Sequence, residues 1–502
     1  MARIIFSTIS GLPNQTKLPC LYEGFVNALV REGNEVLVII TNKLIRNHWS
    51  CNETNANINK GALDKKITDF NPDLVISWNN SLYENTPRLT DCPIIIYGTD
   101  SPAVFSDRDK LKNNISRYNI VVASSDFIPM VNSYFGKNYK SLDVVYFATD
   151  FVAEEIEQNK NISFIGTNFS FAADNFKKKF SNNFNDKKRK ELQTFIKYFS
   201  QNLLQKPEVH LKELGLSKSL IENISHIELL NLISSNTRIQ TLASIADLGL
   251  SLYGSKDWRN VADYSVDLAL SYVDQEITSV KENQDIYNSS KVSINISHAQ
   301  AGSAFSWRVR DIMACNSALV SDPRQDIVTQ FGKYVKIPTY ENPFEARQIC
   351  EKLLKDEIWR KEIIAGSQLA IEEGHRFKYR MKDLEQIVGV KLFCDEPSGR
   401  VEFLNPDEFI RGSSASKAID NLCFFIEKAH KKRPKSFFNR LSLAKDHNKR
   451  PKSFFNGLSL AKDHKKRPKP FFNGLFLAKK NKLRVYFRVG KKNIIKRIRN
   501  FC

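Results

Sequence analysis

The residues best placed to do chemistry are a few charged side chains at the ends of apolar runs. Arg308 and Asp311 stand three apart in Ser306-Trp-Arg-Val-Arg-Asp-Ile-Met-Ala-Cys-Asn316, where the spacing predicts a helix from about Phe305 to Ala314. By spacing alone this is an i,i+3 ion pair on a helix surface. Asp100, in Tyr97-Gly-Thr-Asp-Ser-Pro102, follows a strand end and is the best acidic candidate for a general base, though an Asp before Ser-Pro is equally suited to starting a turn. Lys256 and Arg259, after Tyr253-Gly254, could reach a diphosphate, or simply be solvated. His298 follows an apolar strand and is either a cleft residue or a loop or core histidine. Gly11, in Ser10-Gly-Leu-Pro13, could bring backbone amides to a ligand at a sheet edge, or form a plain turn.

Such residues need a scaffold, and the first 150 positions supply one. Short apolar runs at 3–8, 35–41, 73–78, 93–98, 119–123 and 142–147 alternate with helical stretches, as in a parallel sheet covered on both faces. Leu21, Phe25, Ala28 and Leu29 mark a helix closed by Gly33 and Asn34. A second unit begins near Asn161, is interrupted by a helical insertion over about 174–244, and resumes with strands at 248–253, 268–273, 292–296 and 317–321 and helices at 343–355 and 358–373. We expect domains at 1–155 and 156–392, a linker or helix at 393–428, and a tail at 429–502. Two such halves place a ligand cleft between their carboxyl edges.

Three strings carry a family resemblance: Asp285-Ile-Tyr-Asn-Ser-Ser-Lys-Val-Ser-Ile-Asn-Ile-Ser-His298, then Ser306 to Asp322, then Gly374-His-Arg-Phe-Lys-Tyr-Arg380. They resemble the C-terminal half of group 1 glycosyltransferases, in the branch that includes spore-maturation-type glycosyltransferases. Leu252-Tyr-Gly-Ser and Tyr146-Phe-Ala-Thr-Asp150 extend the likeness to about residues 1–390, strongest over 246–385.

The resemblance implies an α/β fold of GT-B type, two Rossmann-like doubly wound domains facing a cleft, with the nucleotide-sugar donor held mainly by the second. Arg308 and a helix N-terminus would then stabilise the charge growing on the diphosphate leaving group, without a metal or cofactor. Asp311 would accept the ribose hydroxyls; Gly11, Gly254, Lys256 and Tyr287 join the donor-binding set, and Asp100 and His298 join Arg308 as catalytic candidates. His375 and Arg380 are expected to fasten the last helix. Three departures stand out: the family's Glu is Asp311, its following Gly is Asn316, and an acid common eight residues before the Glu is Ser303. They keep open an inactive, transferase-like scaffold.

The net charge of +20 is unevenly shared: residues 428–502 carry +23 and the remainder −3. The tail contains a threefold 17-residue repeat, 431–447, 448–464 and 465–481, built on Lys/Arg-Pro-Lys followed by Phe-Phe and Leu. Basic clusters alternating with aromatic anchors suit an anionic membrane surface. The rival readings are a nucleic-acid tail, disfavoured by the near-neutral body, and a plain solvated appendage. The eight scattered cysteines, with no C-x-x-C pair, and an N-terminus without a signal-type apolar run predict a cytoplasmic protein; the tail would place it on the inner membrane face, and the transferase resemblance then implies a cell-envelope glycan or lipid-linked acceptor.

Overall fold

In the computed structural model, apolar runs flanked by polar turns become strands. β1 (Arg3–Thr8), β2 (Glu35–Ile40), β3 (Leu74–Trp78), β4 (Ile94–Gly98), β5 (Tyr118–Val122) and β6 (Ser141–Val144) lie parallel in one sheet. A further strand, β11 (Arg400–Leu404), completes the order β11-β2-β1-β3-β4-β5-β6. Every residue of β2, β3, β4 and β5 is buried, as an all-parallel sheet covered on both faces requires. Helix Cys20–Arg31 covers one face with Leu21, Phe25, Val26, Ala28 and Leu29. Gly33, at φ +88°, turns the chain back into β2 without the strain a side chain would add.

The second lobe holds β7 (Lys160–Ile165), β8 (Leu250–Tyr253), β9 (Ser290–Asn295) and β10 (Ala318–Ser321), parallel in the order β10-β9-β7-β8. With the first sheet this makes the GT-B architecture that the resemblance implies. Between β7 and β8 lie helices Asp186–Phe199, Pro207–Glu213 and His226–Ala243. Phe195, Phe199, Leu211, Leu229 and Leu230 give the insertion a small core of its own, whereas Leu242, at the far end of the third helix, belongs to the main core. That helix starts on a capping box made by Ser225 and Glu228.

The structure describes residues 1–409 apart from 10–17, 42–58, 103–104, 106–107, 172–184, 202, 204–206, 222–224, 276, 395–398 and 405–408. The basic repeats and Gly11 lie outside the described residues. Those that are described fall within one compact unit, Met1–Gly412. Among them, no helix is long and apolar enough to cross a membrane.

Three sequence readings change. Residues 268–273, expected as a strand, contain instead the end of helix Val266–Leu270, because the Ser265 side chain caps it by accepting from the Leu268 amide; only Tyr272 bridges to Leu252. The stretch expected as linker or helix supplies β11, since Val401 and Phe403 find the open edge of β2. Helix Phe377–Val388 follows the second lobe in sequence but buries Phe377, Met381 and Leu384 in the core of the first.

The ends of β7 and β8 meet at a contact only glycine allows. Gly254 has φ +137°, and a Cβ there would lie 2.0 Å from the Gly166 carbonyl oxygen. Gly254→Ala is therefore expected to destabilise the protein by roughly 3 kcal/mol, read as a lowered urea midpoint at unchanged slope.

Candidate functional site

Four loops leave the carboxyl ends of the second sheet, where a doubly wound lobe holds its ligand. The loop after β7 is fixed through Gly166, whose carbonyl accepts from Trp258 Nε1 at 2.8 Å. The loop after β9 is anchored by Asp322, which accepts from the Ser297 amide at 3.0 Å and is paired at 2.6 Å with Arg324. Arg324 in turn donates to the Gly302 carbonyl at 2.8 Å.

Arg308 sits in this rim. Its Nη1 donates to Asn295 Oδ1 at 3.1 Å, its guanidinium lies 5.0 Å from the Phe164 ring centre, and its Nη2 reaches toward Gly166. The helix it opens, Arg308–Met313, has only six residues, shorter than expected, so the anion-attracting charge here is the guanidinium and not a helix dipole. Gly254 shapes the same rim, and Lys256, the first residue of a 3-10 helix, is exposed beside it. Arg259 is engaged by Asp274 at 2.5 Å.

Arg238 was not singled out from the sequence. It projects from helix His226–Ala243 and is 4% exposed. Its Nη1 donates to the Thr167 carbonyl at 2.7 Å and its Nη2 to that of Ile296 at 3.2 Å. Among the described residues neither Arg238 nor Arg308 has a carboxylate within 4 Å. Burial, and then the neighbouring Arg308, pull the Arg238 pKa down to about 9. The available signal was its place four residues after Ser234 and four before Leu242, in line with the helix face that also carries Leu230.

Asp100 faces the rim from the first lobe, just beyond β4. Its carboxylate accepts from Asn79 Nδ2 at 2.7 Å and from Gln300 Nε2, across the lobes, at 2.6 Å. Burial raises its pKa against those two bonds. Ser303, on the same loop as Gln300, donates its amide to Asp126 at 2.6 Å. His298 shapes that loop: Nδ1 accepts from the Gln300 amide at 3.2 Å, and Nε2 lies 2.8 Å from Asn231 Oδ1. Burial, followed by Arg238 and Arg324, holds its pKa at about 3, so the imidazole is neutral and both its nitrogens serve the scaffold.

Asp311 and Tyr287 stand away from the rim. Tyr287, 2% exposed, packs with Phe151 in the core of the second lobe, because its helix turns that face inward. Asp311 lines a 160 Å³ cavity between the lobes with Cys20, Thr149, Asp150, Val280 and Phe377. Burial pushes its pKa up to about 7, against the Thr149 side chain and the Arg308 and Arg310 charges. Asn316 makes bonds a glycine could not: Nδ2 donates to the Glu154 carbonyl at 2.7 Å and Oδ1 accepts from Gln368 at 3.2 Å. His375 and Arg380 hold the lobe junction: His375 accepts from buried Arg310 Nε at 3.3 Å, and Arg380 pairs with Asp383 at 2.6 Å. Among the described residues no group of three or more His, Cys, Asp or Glu is arranged to hold a metal ion.

Residues 237–386 match a family model described as glycosyl transferase-like. That match supports a glycosyltransferase enzyme. No curated protein matches the chain. Among solved structures the chain is similar to sucrose-phosphate synthase from Thermosynechococcus elongatus, at 9% identity over 76% of this chain and 97% of that one, TM-score 0.47. It is also similar to a glycosyltransferase from Rickettsia africae, at 10% identity over 78% and 99%, TM-score 0.42. T4 phage BGT in complex with its UDP-glucose substrate gives 10% identity over 77% and 99%, TM-score 0.42.

The raised Asp311 pKa has a signed consequence. Its folded value lies above the ordinary unfolded one, so between about pH 4 and pH 7 the folded chain keeps a proton that the unfolded chain has lost. Stability from this group is present below that window and falls as pH rises through it, by roughly 2–4 kcal/mol. Urea melts from pH 4 to pH 8 should show that decline in the wild type and a flatter profile for Asp311→Asn.

Proposed function

We propose that this glycosyltransferase binds a nucleotide-sugar donor at the carboxyl rim of its second lobe and transfers the sugar to a cell-envelope glycan or lipid-linked acceptor brought by the first lobe. The observation that carries the donor site is a rim with two guanidinium groups, no carboxylate partner for either among the described residues, and a neutral histidine behind them. A diphosphate supplies the missing negative charge. Arg308 lies nearest the opening and stabilises the leaving group as the glycosidic bond breaks. Asp100, with its pKa raised by burial, takes the acceptor hydroxyl's proton once Gln300 moves aside. In this reading the reaction runs without a metal.

Asp311 contributes through the lobe junction, with ribose recognition reserved for a more open arrangement of the lobes. The spore-maturation-type branch is the finer family reading, and it rests on the sequence strings alone. The basic repeats anchor the enzyme to an anionic membrane surface on the cytoplasmic side: a tail with a net +23 beside a body near −3 concentrates attraction at one end of the chain.

The donor site is tested by thermal melts of the full chain with UDP-, GDP- and CMP-linked sugars in EDTA. One nucleotide class should raise Tm by several degrees, and Arg308→Ala should remove the gain while cutting kcat by about 10²–10³. No gain with any donor would favour the inactive scaffold, and a gain abolished by EDTA would overturn the metal-free mechanism. For the tail, the chain should pellet with phosphatidylserine-containing vesicles at 0.1 M salt, release at 1 M, and stay in solution when 429–502 are removed. Equal pelleting of the shortened chain would refute the anchor.

A further inference from the structure

A buried cation normally sits against a carboxylate, and Arg238 does not. Its guanidinium lies 4.6 Å from the centre of the Phe169 ring and 5.7 Å from that of Phe164, whose centre is 5.0 Å from the Arg308 guanidinium. The two cations therefore sit near one phenylalanine ring, and each also reaches the loop after β7, Arg308 toward Gly166 and Arg238 to the Thr167 carbonyl. Arg238 Nε is buried with no hydrogen-bond partner, and so is the nearby Asn168 Nδ2. Asp322, whose charge is felt at Arg238, is already paired with Arg324.

We propose that Arg238 is a positioning residue of the donor site, a second cation held without a counter-charge so that the diphosphate of the incoming nucleotide sugar completes the pair with Arg308. Arg238 does not touch the sugar. It holds the carbonyls of Thr167 and Ile296, which set the loops after β7 and β9 on either side of the donor, and it adds a fixed positive field in a site with little water to screen it. Without donor, two neighbouring guanidinium groups repel each other and one is desolvated, so the empty site is destabilised. With donor, the same two charges become attractive to one dianion. The rim is thus more stable loaded than empty by more than ordinary ligand contacts would provide.

This inference rests on the nucleotide-sugar reading above, and the experiment separates the two. Wild type, Arg308→Ala, Arg238→Met and Arg238→Gln are melted as full chains, alone and with UDP, GDP, ADP or inorganic pyrophosphate. Wild type should gain several degrees with at least one of these. Arg238→Met should melt within a few degrees of wild type when empty, because relief of the uncompensated charge offsets the two carbonyls left without a donor, yet lose most of the ligand-induced gain, with donor binding at least tenfold weaker. Arg238→Gln, which keeps one donor for the two carbonyls but no charge, should lose the gain as well. In turnover, the donor KM should rise more than kcat falls. A wild type that gains nothing from any diphosphate overturns the donor reading itself. A wild type that gains, with Arg238 variants that gain as much, overturns the role of Arg238 alone. Arg238 variants that are strongly destabilised when empty, or that fail to fold, show a structural arginine and overturn it too.

Discussion

Gly254 and the Gly166 carbonyl approach so closely that no side chain fits between them, and much of the donor-side rim depends on that contact. It ties the end of β8 to the end of β7, and Trp258 Nε1 fastens the same carbonyl from the core side. With the loop after β7 fixed, Thr167 presents its carbonyl to Arg238, and Phe164 offers its ring to both arginines. A wider separation at Gly254 would let the loop drift, and the guanidinium positions would no longer be set by backbone geometry. Charge placement in this lobe is thus a consequence of steric closeness between two strand ends.

The loop after β9 has a different task. It is held inside its own lobe by Asp322, Arg324 and His298, and it reaches the other lobe through Gln300 to Asp100 and Ser303 to Asp126. These two bonds end on carboxylates that lie just beyond β4 and β5, where an acceptor would approach. The amide of Gln300 occupies one oxygen of Asp100 as an acceptor hydroxyl would. In the proposed reaction that bond would have to open before Asp100 could meet an acceptor hydroxyl.

Much of this was legible in the sequence, and the misses have physical causes. β1 to β5 follow from continuous apolar runs, because burial on both faces leaves little room for alternation. The reading failed at 268–273, where a single capping serine outweighed strand-like composition, and at 400–404, where a short stretch gained its structure from the free edge of a distant strand. The site was half legible. Arg308 and Gly254 fall on the rim, whereas Tyr287 was placed there by its neighbours in a motif although its own helical phase directs it to the core. Asn316 departs from glycine yet is accommodated by bonds to Glu154 and Gln368. Arg238 went unnoticed because an arginine in a helix of mixed polar and apolar residues looks like a surface residue until tertiary packing closes over it.

Burial of an arginine does not by itself mark a ligand site, and Arg310 shows why. It is as buried as Arg238, and burial likewise lowers its pKa to about 9. But its guanidinium lies 4.7 Å from the Phe305 ring centre and 5.5 Å from that of Phe331, and it donates to His375 and Gln330, neutral groups fixed at the lobe junction. The Arg380 charge adds to that lowering, and Asp311 and Asp326 act against it. Arg310 is thus enclosed by side chains at the lobe junction. Arg238 has as its hydrogen-bond acceptors the carbonyls of Thr167 and Ile296, on the loops after β7 and β9, and Arg308 as its charged neighbour. The difference lies in what holds the charge: Arg310 is held by side chains of the lobe junction, and Arg238 by the carbonyls of two strand-end loops, where the proposed donor would bind.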